Sequence, residues 1–166
     1  MDRSRRSFLQ PKTQRPPRRP PWARLPDEIF TTHCTRCAQC IQVCPTGILI
    51  RGSGGFPEAT FERSGCDECG KCLEACEPGA ISQSATQRAP WTSVIRIDEN
   101  CLAIRQVECR ICQEHCTHRA IQFKPRIGGI AQPEPNEDQC TGCGHCLPRC
   151  PTLSISLHDA KTAPLG

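Results

Sequence analysis

Tyrosine is absent from this chain, and other large side chains are scarce: one Met, two Trp and five Phe in 166 residues. That excludes a core built on aromatic packing. No stretch approaches 18 consecutive apolar residues, so no segment is expected to cross a bilayer as a helix. GSGG (52–55) is Gly-rich but no helix opening on Lys-Ser or Lys-Thr follows, so it reads as a hairpin turn and not as a phosphate loop. Ser/His/Asp and paired-carboxylate arrangements are lacking, as are flavin and nucleotide motifs, so no site for turning over a substrate is expected. What the chain has instead is cysteine, sixteen in all. Small domains short of core are usually held by disulfides or metals.

Charge is unevenly spread. Residues 1–26 carry eight Lys or Arg against Asp2, a net of +7, while the whole chain is +4 and the remainder −3. The basic residues beyond position 26 are scattered with no aromatic interleaving, so nucleic acid is not an expected partner. Six prolines between Pro11 and Pro26 predict an extended, disordered Pro/Arg-rich arm over residues 1–28, with Trp22 of PPW pinning its end to the body. SRRSFL (4–9) resembles a twin-arginine export motif, but the residues that follow are Arg- and Pro-rich where an export signal needs an apolar stretch. The expected location is the cytoplasm.

The cysteines fall into four blocks, at 34–44, 66–76, 101–116 and 140–150. Blocks one and two lie 32 residues apart, and blocks three and four nearly repeat that offset. The chain reads as two α+β units, 29–88 and 89–166. The runs GILI (47–50), GAIS (79–82), RAIQF (119–123), LSISL (153–157) and TSVIRID (92–98) are strand-length, and Gly47 and Gly79 supply turns. At most one to three helical turns fit after each cysteine triplet.

Three chemistries use clustered cysteine. Disulfides need an oxidising compartment, and four thiols within eleven residues crowd too tightly for a disulfide framework. Zinc sites pair two distant CxxC motifs, which leaves a third cysteine two residues after the pair without a role. The run C-x2-C-x2-C-x3-C-P in CTRCAQCIQVCP (34–45) is that of bacterial ferredoxins, whose fourth cysteine ligates the other cluster of a pair. The predicted cluster one is therefore Cys34, Cys37, Cys40 and Cys76, and cluster two is Cys66, Cys69, Cys72 and Cys44. Block three departs, with seven residues (LAIRQVE, 102–108) where two are expected. Cys101, Cys109, Cys112 and Cys150 then form cluster three, and Cys140, Cys143, Cys146 and Cys116 cluster four. Four [4Fe–4S] clusters use all sixteen thiols. His33, His115 and His145 lie beside these cysteines and are read as supporting or surface residues. The seven-residue loop is expected to bulge outward, leaving the Cys101 cluster the most exposed and the first lost to oxygen. Each oxidised cubane with its thiolates carries roughly −2, so four would bring the body to about −11.

PPW (20–22), HCTRC (33–37), RGSGGFP (51–57) and CLAIRQVECRICQEHC (101–116) resemble the NapF family, ferredoxin-type accessory proteins of the periplasmic nitrate reductase system. The resemblance implies two tandem 2[4Fe–4S] ferredoxin-like units and cytoplasmic residence. It also implies binding to the precursor of the catalytic molybdenum subunit of that reductase, with a role in maturation through cluster provision or redox activation before export. The alternatives are an electron-transfer ferredoxin with other redox proteins as partners, and a metal-stapled adaptor.

Overall fold

The structure, a computed structural model, describes residues 18–23, 26–83 and 89–159. The stretch SRRSFL and most of the expected arm lie outside these residues.

The elements follow the cysteine blocks. Helix α1 (Asp27–His33) precedes block one. Single helical turns follow each of the first three blocks' leading cysteines: α2 (Gln39–Gln42), α3 (Lys71–Glu74) and α4 (Ile111–Glu114). Each starts at or just before the third cysteine of its triplet and buries it, and the loops leave no room for longer helices. Strands β1 (Leu49–Arg51) and β2 (Pro57–Ala59) form a hairpin whose turn is the Gly-rich stretch Ser53–Gly55. Strands β4 (Ile121–Arg126) and β5 (Gly129–Pro135) form the corresponding hairpin between blocks three and four. Strand β3 (Ser93–Ile97) pairs antiparallel with β6 (Ile155–Asp159), from Ser93 opposite Asp159 to Ile97 opposite Ile155.

Both halves share one plan. An inner hairpin separates two cysteine blocks, and an outer pairing ties the ends of the unit together. In the second half the outer pairing is β3–β6. In the first half it has shrunk to one bridge, Ala23 opposite Ile81, flanked by the Ser82 N–H donating to the Trp22 carbonyl at 2.9 Å. The described end of the expected arm is thus held on the first unit, with Trp22 pinned as its PPW setting suggested, and residues 27 and 28 begin a helix where the arm was expected to continue. Trp22 is buried, and Arg19 is held between the rings of Phe30 and Phe56 at 5.1 and 5.3 Å while also bonding Asp27 at the start of α1. Apolar stacking on Phe30 and Phe56 lets a guanidinium pack inside, which the charge pattern alone could not convey.

A further fourfold repeat marks the exit of each block. The N–H groups of Gly47, Gly79, Arg119 and Leu153 donate to the carbonyls of Cys44, Cys76, Cys116 and Cys150. All four residues have left-handed backbone, with φ of 65°, 69°, 53° and 52°. The second half makes without glycine the turns that the first half makes with it.

The core is thin and contains cysteine. One cluster gathers Trp22, Phe30, Ile48, Leu49, Phe61, Ile81 and Trp91 around Cys40, Cys66 and Cys72. The other gathers Ile95, Ile121 and Ile155 around Cys112 and Cys146. The halves meet closely. The Cys66 N–H donates to the Cys143 carbonyl at 2.7 Å. A Cβ on Gly65 would lie 2.5 Å from the His145 backbone nitrogen, and one on Gly144 2.4 Å from the Phe61 ring; within the second unit, one on Gly142 would lie 2.4 Å from the Ser93 carbonyl. Gly142 and Gly144 also hold φ of 73° and 78°, so turn shape and close approach both demand glycine there.

Candidate metal centres

All sixteen thiols are free. They line four cavities of near-equal size, about 330, 350, 320 and 310 Å³. The first is lined by Cys34, Cys37, Cys40 and Cys76. The second is lined by Cys44, Cys66, Cys69 and Cys72, the third by Cys101, Cys109, Cys112 and Cys150, and the fourth by Cys116, Cys140, Cys143 and Cys146. In each cavity three thiols come from one block and the fourth from the partner block of the same half.

The third thiol of each triplet is buried. Burial pushes Cys40 up to about 11, and the thiolates of Cys34, Cys76 and Cys37 add to the effect. Burial likewise pushes Cys72 up to about 12 and Cys112 to about 11, and raises Cys146 further still. Buried thiols that crowd like charge favour the neutral form, and a cation that replaces the protons removes that penalty.

The fourth cysteines are treated differently. Burial would raise Cys44 as well, but the Thr46 hydroxyl and the backbone N–H groups of Leu49, Ile48 and Thr46 outweigh it, so the thiol lies below its ordinary value. Cys150 is lowered in the same way by Ser154 and Thr152, with the Ser154 Oγ 3.2 Å from its sulfur. Cys76 and Cys116 instead accept backbone N–H bonds from Ile81 and Ala120, both at 3.2 Å. Soft thiolate donors in fours, apolar walls and N–H groups aimed at sulfur are what an iron–sulfur cluster requires. The residues present fit the group.

The seven-residue loop does not behave as expected. It closes on itself through Arg105 N–H to the Cys101 carbonyl at 3.0 Å and Val107 N–H to the Leu102 carbonyl at 2.9 Å. Ala103, within the loop, is fully buried, and Cys101 is only 8% exposed. The exposed thiols are Cys37 and Cys69, in the first two cavities. The expectation of a slack loop that exposes Cys101 is therefore corrected: the loop is hydrogen-bonded into turns and Cys101 is buried.

Of the histidines, His33 is exposed, with Nδ1 2.8 Å from the Ile29 carbonyl. His115 and His145 border the fourth cavity, and His145 lies 3.3 Å from Asp67 of the other half. Sequence reasoning missed a group at the same junction. Glu68 Oε1 is 3.1 Å from His118 Nε2 and accepts a hydrogen bond from Thr141 Oγ1, beside Cys143. Its members come from three separate segments, so no spacing could have announced it.

Comparison with known proteins agrees with the donor chemistry. Two family models described as 4Fe-4S dicluster domains match residues 33–81 and 107–153. These place [4Fe–4S] chemistry in both halves, and the short strands and helices fit tandem ferredoxin-like units. The chain is similar to the ferredoxin-type protein NapF of Haemophilus influenzae, at 48% identity over 143 residues, 86% of this chain and 80% of that one. It is 40% identical over 158 residues to the ferredoxin-type protein NapF of Escherichia coli K12, covering 94% of each. The ferredoxin-type protein NapG of Haemophilus influenzae is more distant, 33% identical over 81% of this chain and 55% of its own length. With four free thiols turned into each of four cavities and relatives at this level over most of its length, the chain is an iron–sulfur protein of electron-transfer or accessory type, not an enzyme, and belongs to the NapF family of ferredoxin-type proteins.

Proposed function

We propose that the chain holds four [4Fe–4S] clusters, one in each cavity, through the cysteine quartets that line them. The observation that carries this reading is the partition of sixteen thiols into four equal groups with none left over. A bound cluster supplies one-electron chemistry. The protein's own part is to present thiolates, exclude water with apolar walls, and aim hydroxyl and N–H donors at sulfur. Anaerobic reconstitution should give about sixteen irons per chain, four per quartet; a plateau at about eight would remove one half from the reading.

The further role is cytoplasmic and accessory. The protein binds the precursor of the catalytic molybdenum subunit of periplasmic nitrate reductase and assists its maturation before twin-arginine export, by cluster provision or redox activation. Membership of the NapF family supports this. Anaerobic affinity capture from nitrate-respiring cells tests it. A catalytic subunit with its signal uncleaved is the expected catch.

A second reading, an electron carrier, is favoured by how the quartets adjoin. Cys40 and Cys72 feel each other's charge between the first two cavities, as do Cys112 and Cys146 between the third and fourth. The Cys66–Cys143 hydrogen bond joins the second cavity to the fourth. The quartets therefore adjoin in the order one, two, four, three. Capture of other redox proteins with no precursor would favour this reading.

A further inference from the structure

The residue just before the second cysteine takes the same left-handed backbone in blocks one, two and four: Arg36, Glu68 and Gly142, with φ of 61°, 56° and 73°. Glycine does this freely, whereas a long charged side chain in this slot is strained and calls for a reason. In block two the reason is visible. Glu68 reaches into the second unit, where His118 and Thr141 bond its carboxylate, and its neighbour Asp67 lies 3.3 Å from His145. An acidic slot thus joins a facing ferredoxin-like unit. Arg36 holds the same slot in block one with the opposite charge, and it is exposed. Its guanidinium lies 4.9 Å from the Phe56 ring centroid and donates to the Gly54 carbonyl at 3.3 Å, so its place is fixed. A Cβ on Gly55 would lie 3.7 Å from Arg36 Cδ and 3.9 Å from Arg51 Nη1, which puts both arginines at the turn of the β1–β2 hairpin. Among the described residues neither pairs with a carboxylate. Glu58, the one acid of that hairpin, instead accepts the Ser53 N–H at 2.9 Å and faces Arg19. Beside Arg36 stands Cys37, one of two exposed thiols; the other, Cys69, follows the acidic pair Asp67 and Glu68.

We propose that Arg36 and Arg51 form a docking surface for the acidic face of a protein partner, and that it brings this partner to the Cys37 corner of the first quartet. This rests on the readings that the first quartet holds a cluster and that the chain binds the precursor of the catalytic molybdenum subunit; it names the surface that the precursor meets. Charge decides both the place and the occupant. The chain beyond residue 26 is −3, and about −11 with four clusters bound. An acidic partner is repelled by most of that surface and drawn to a local pair of guanidinium groups. Exposed charges act over about 8 Å at physiological salt, so a contact confined to this corner senses the arginines. An anionic bilayer lying across the molecule would face the negative body as well.

The test is association of the full-length, iron-loaded chain with the purified precursor of that catalytic subunit, followed anaerobically by biolayer interferometry at low and high salt, with iron content read on the same samples. For the double variant Arg36→Glu, Arg51→Glu the association rate at low salt should fall about tenfold with iron unchanged, and the difference should close at high salt. Lys71→Glu, a reversal beside the other exposed thiol, should keep the wild-type rate. Should the double variant load poorly, Arg51→Glu alone is measured, and a several-fold fall is expected. Unchanged rates in the loaded arginine variants, or an equal fall for Lys71→Glu, overturn the proposal and leave the precursor reading standing. A wild-type chain that does not bind the precursor sinks that reading and the proposal with it. Binding to phosphatidylglycerol vesicles, or self-association, that the wild type shows and the double variant loses would give the surface to lipid or to a second copy and overturn the proposal.

Discussion

At the scale of single residues, the turns that leave the four cysteine blocks compare like with like. Gly47 and Gly79 take left-handed backbone freely, with open space where a Cβ would stand. Leu153 holds the same geometry with its side chain 79% exposed. A branched residue there carries strain of about 1 kcal/mol that no packing returns. Leu153→Gly should therefore slow denaturant-induced bleaching of the clusters, while Gly79→Ala should hasten it by a comparable amount. Equal rates in both variants would contradict the strain argument. The hydroxyls beside the fourth cysteines set a second expectation. Thr46→Val removes a donor that holds the Cys44 thiol below its ordinary value, so that thiol rises and stays protonated to higher pH. Iron binding expels the proton. The pH below which reconstitution fails should shift upward for Thr46→Val, as it should for Ser154→Ala through Cys150.

At the scale of elements, the question is why so much was legible and where legibility stopped. The grouping of the thiols around four cavities could be read because it follows from their spacing along the chain, a local signal that no distant partner can hide. Strands β1, β3, β4 and β6 followed from short apolar runs for the same local reason. Three things depended on distant partners and could not be read. Residues 18–23 look like an arm by composition; Trp22 was readable as its anchor, but the pairing of Trp22 and Ala23 with Ile81 and Ser82 that closes the first unit was not. Helix α1 is too short to show a periodicity. The loop 102–108 looks like slack until Ala103 within it is seen buried. These give an ordering for element-level changes. Trp22→Ala should cost about 3–5 kcal/mol and release the first-unit clusters before those of the second. Resolving the EPR signals during thermal bleaching checks this; loss of all four together would deny Trp22 a unit-specific role.

At the scale of the whole molecule, the two units are joined through glycine. A methyl group at Gly144 would enter the Phe61 ring, and one at Gly65 would meet the His145 backbone nitrogen. Gly144→Ala should cost about 1–3 kcal/mol as an overpacked contact and should open the joint between units. Faster limited proteolysis into two halves, each keeping its iron, is the expected outcome. Protection as strong as in wild type would mean that the ring yields. The plan of each unit also has a bearing on how the protein is made. Quartets one and two draw only on residues up to Cys76, and Ile81 and Ser82 shut the first unit. Quartets three and four interlock, one needing Cys150 and the other Cys116, and β6 closes them only at Asp159. A chain emerging from the ribosome therefore presents all eight thiols of its leading half before the trailing half has any complete quartet, while the leading core still waits for Trp91 to arrive: the order of synthesis sorts the two sets of thiols in time.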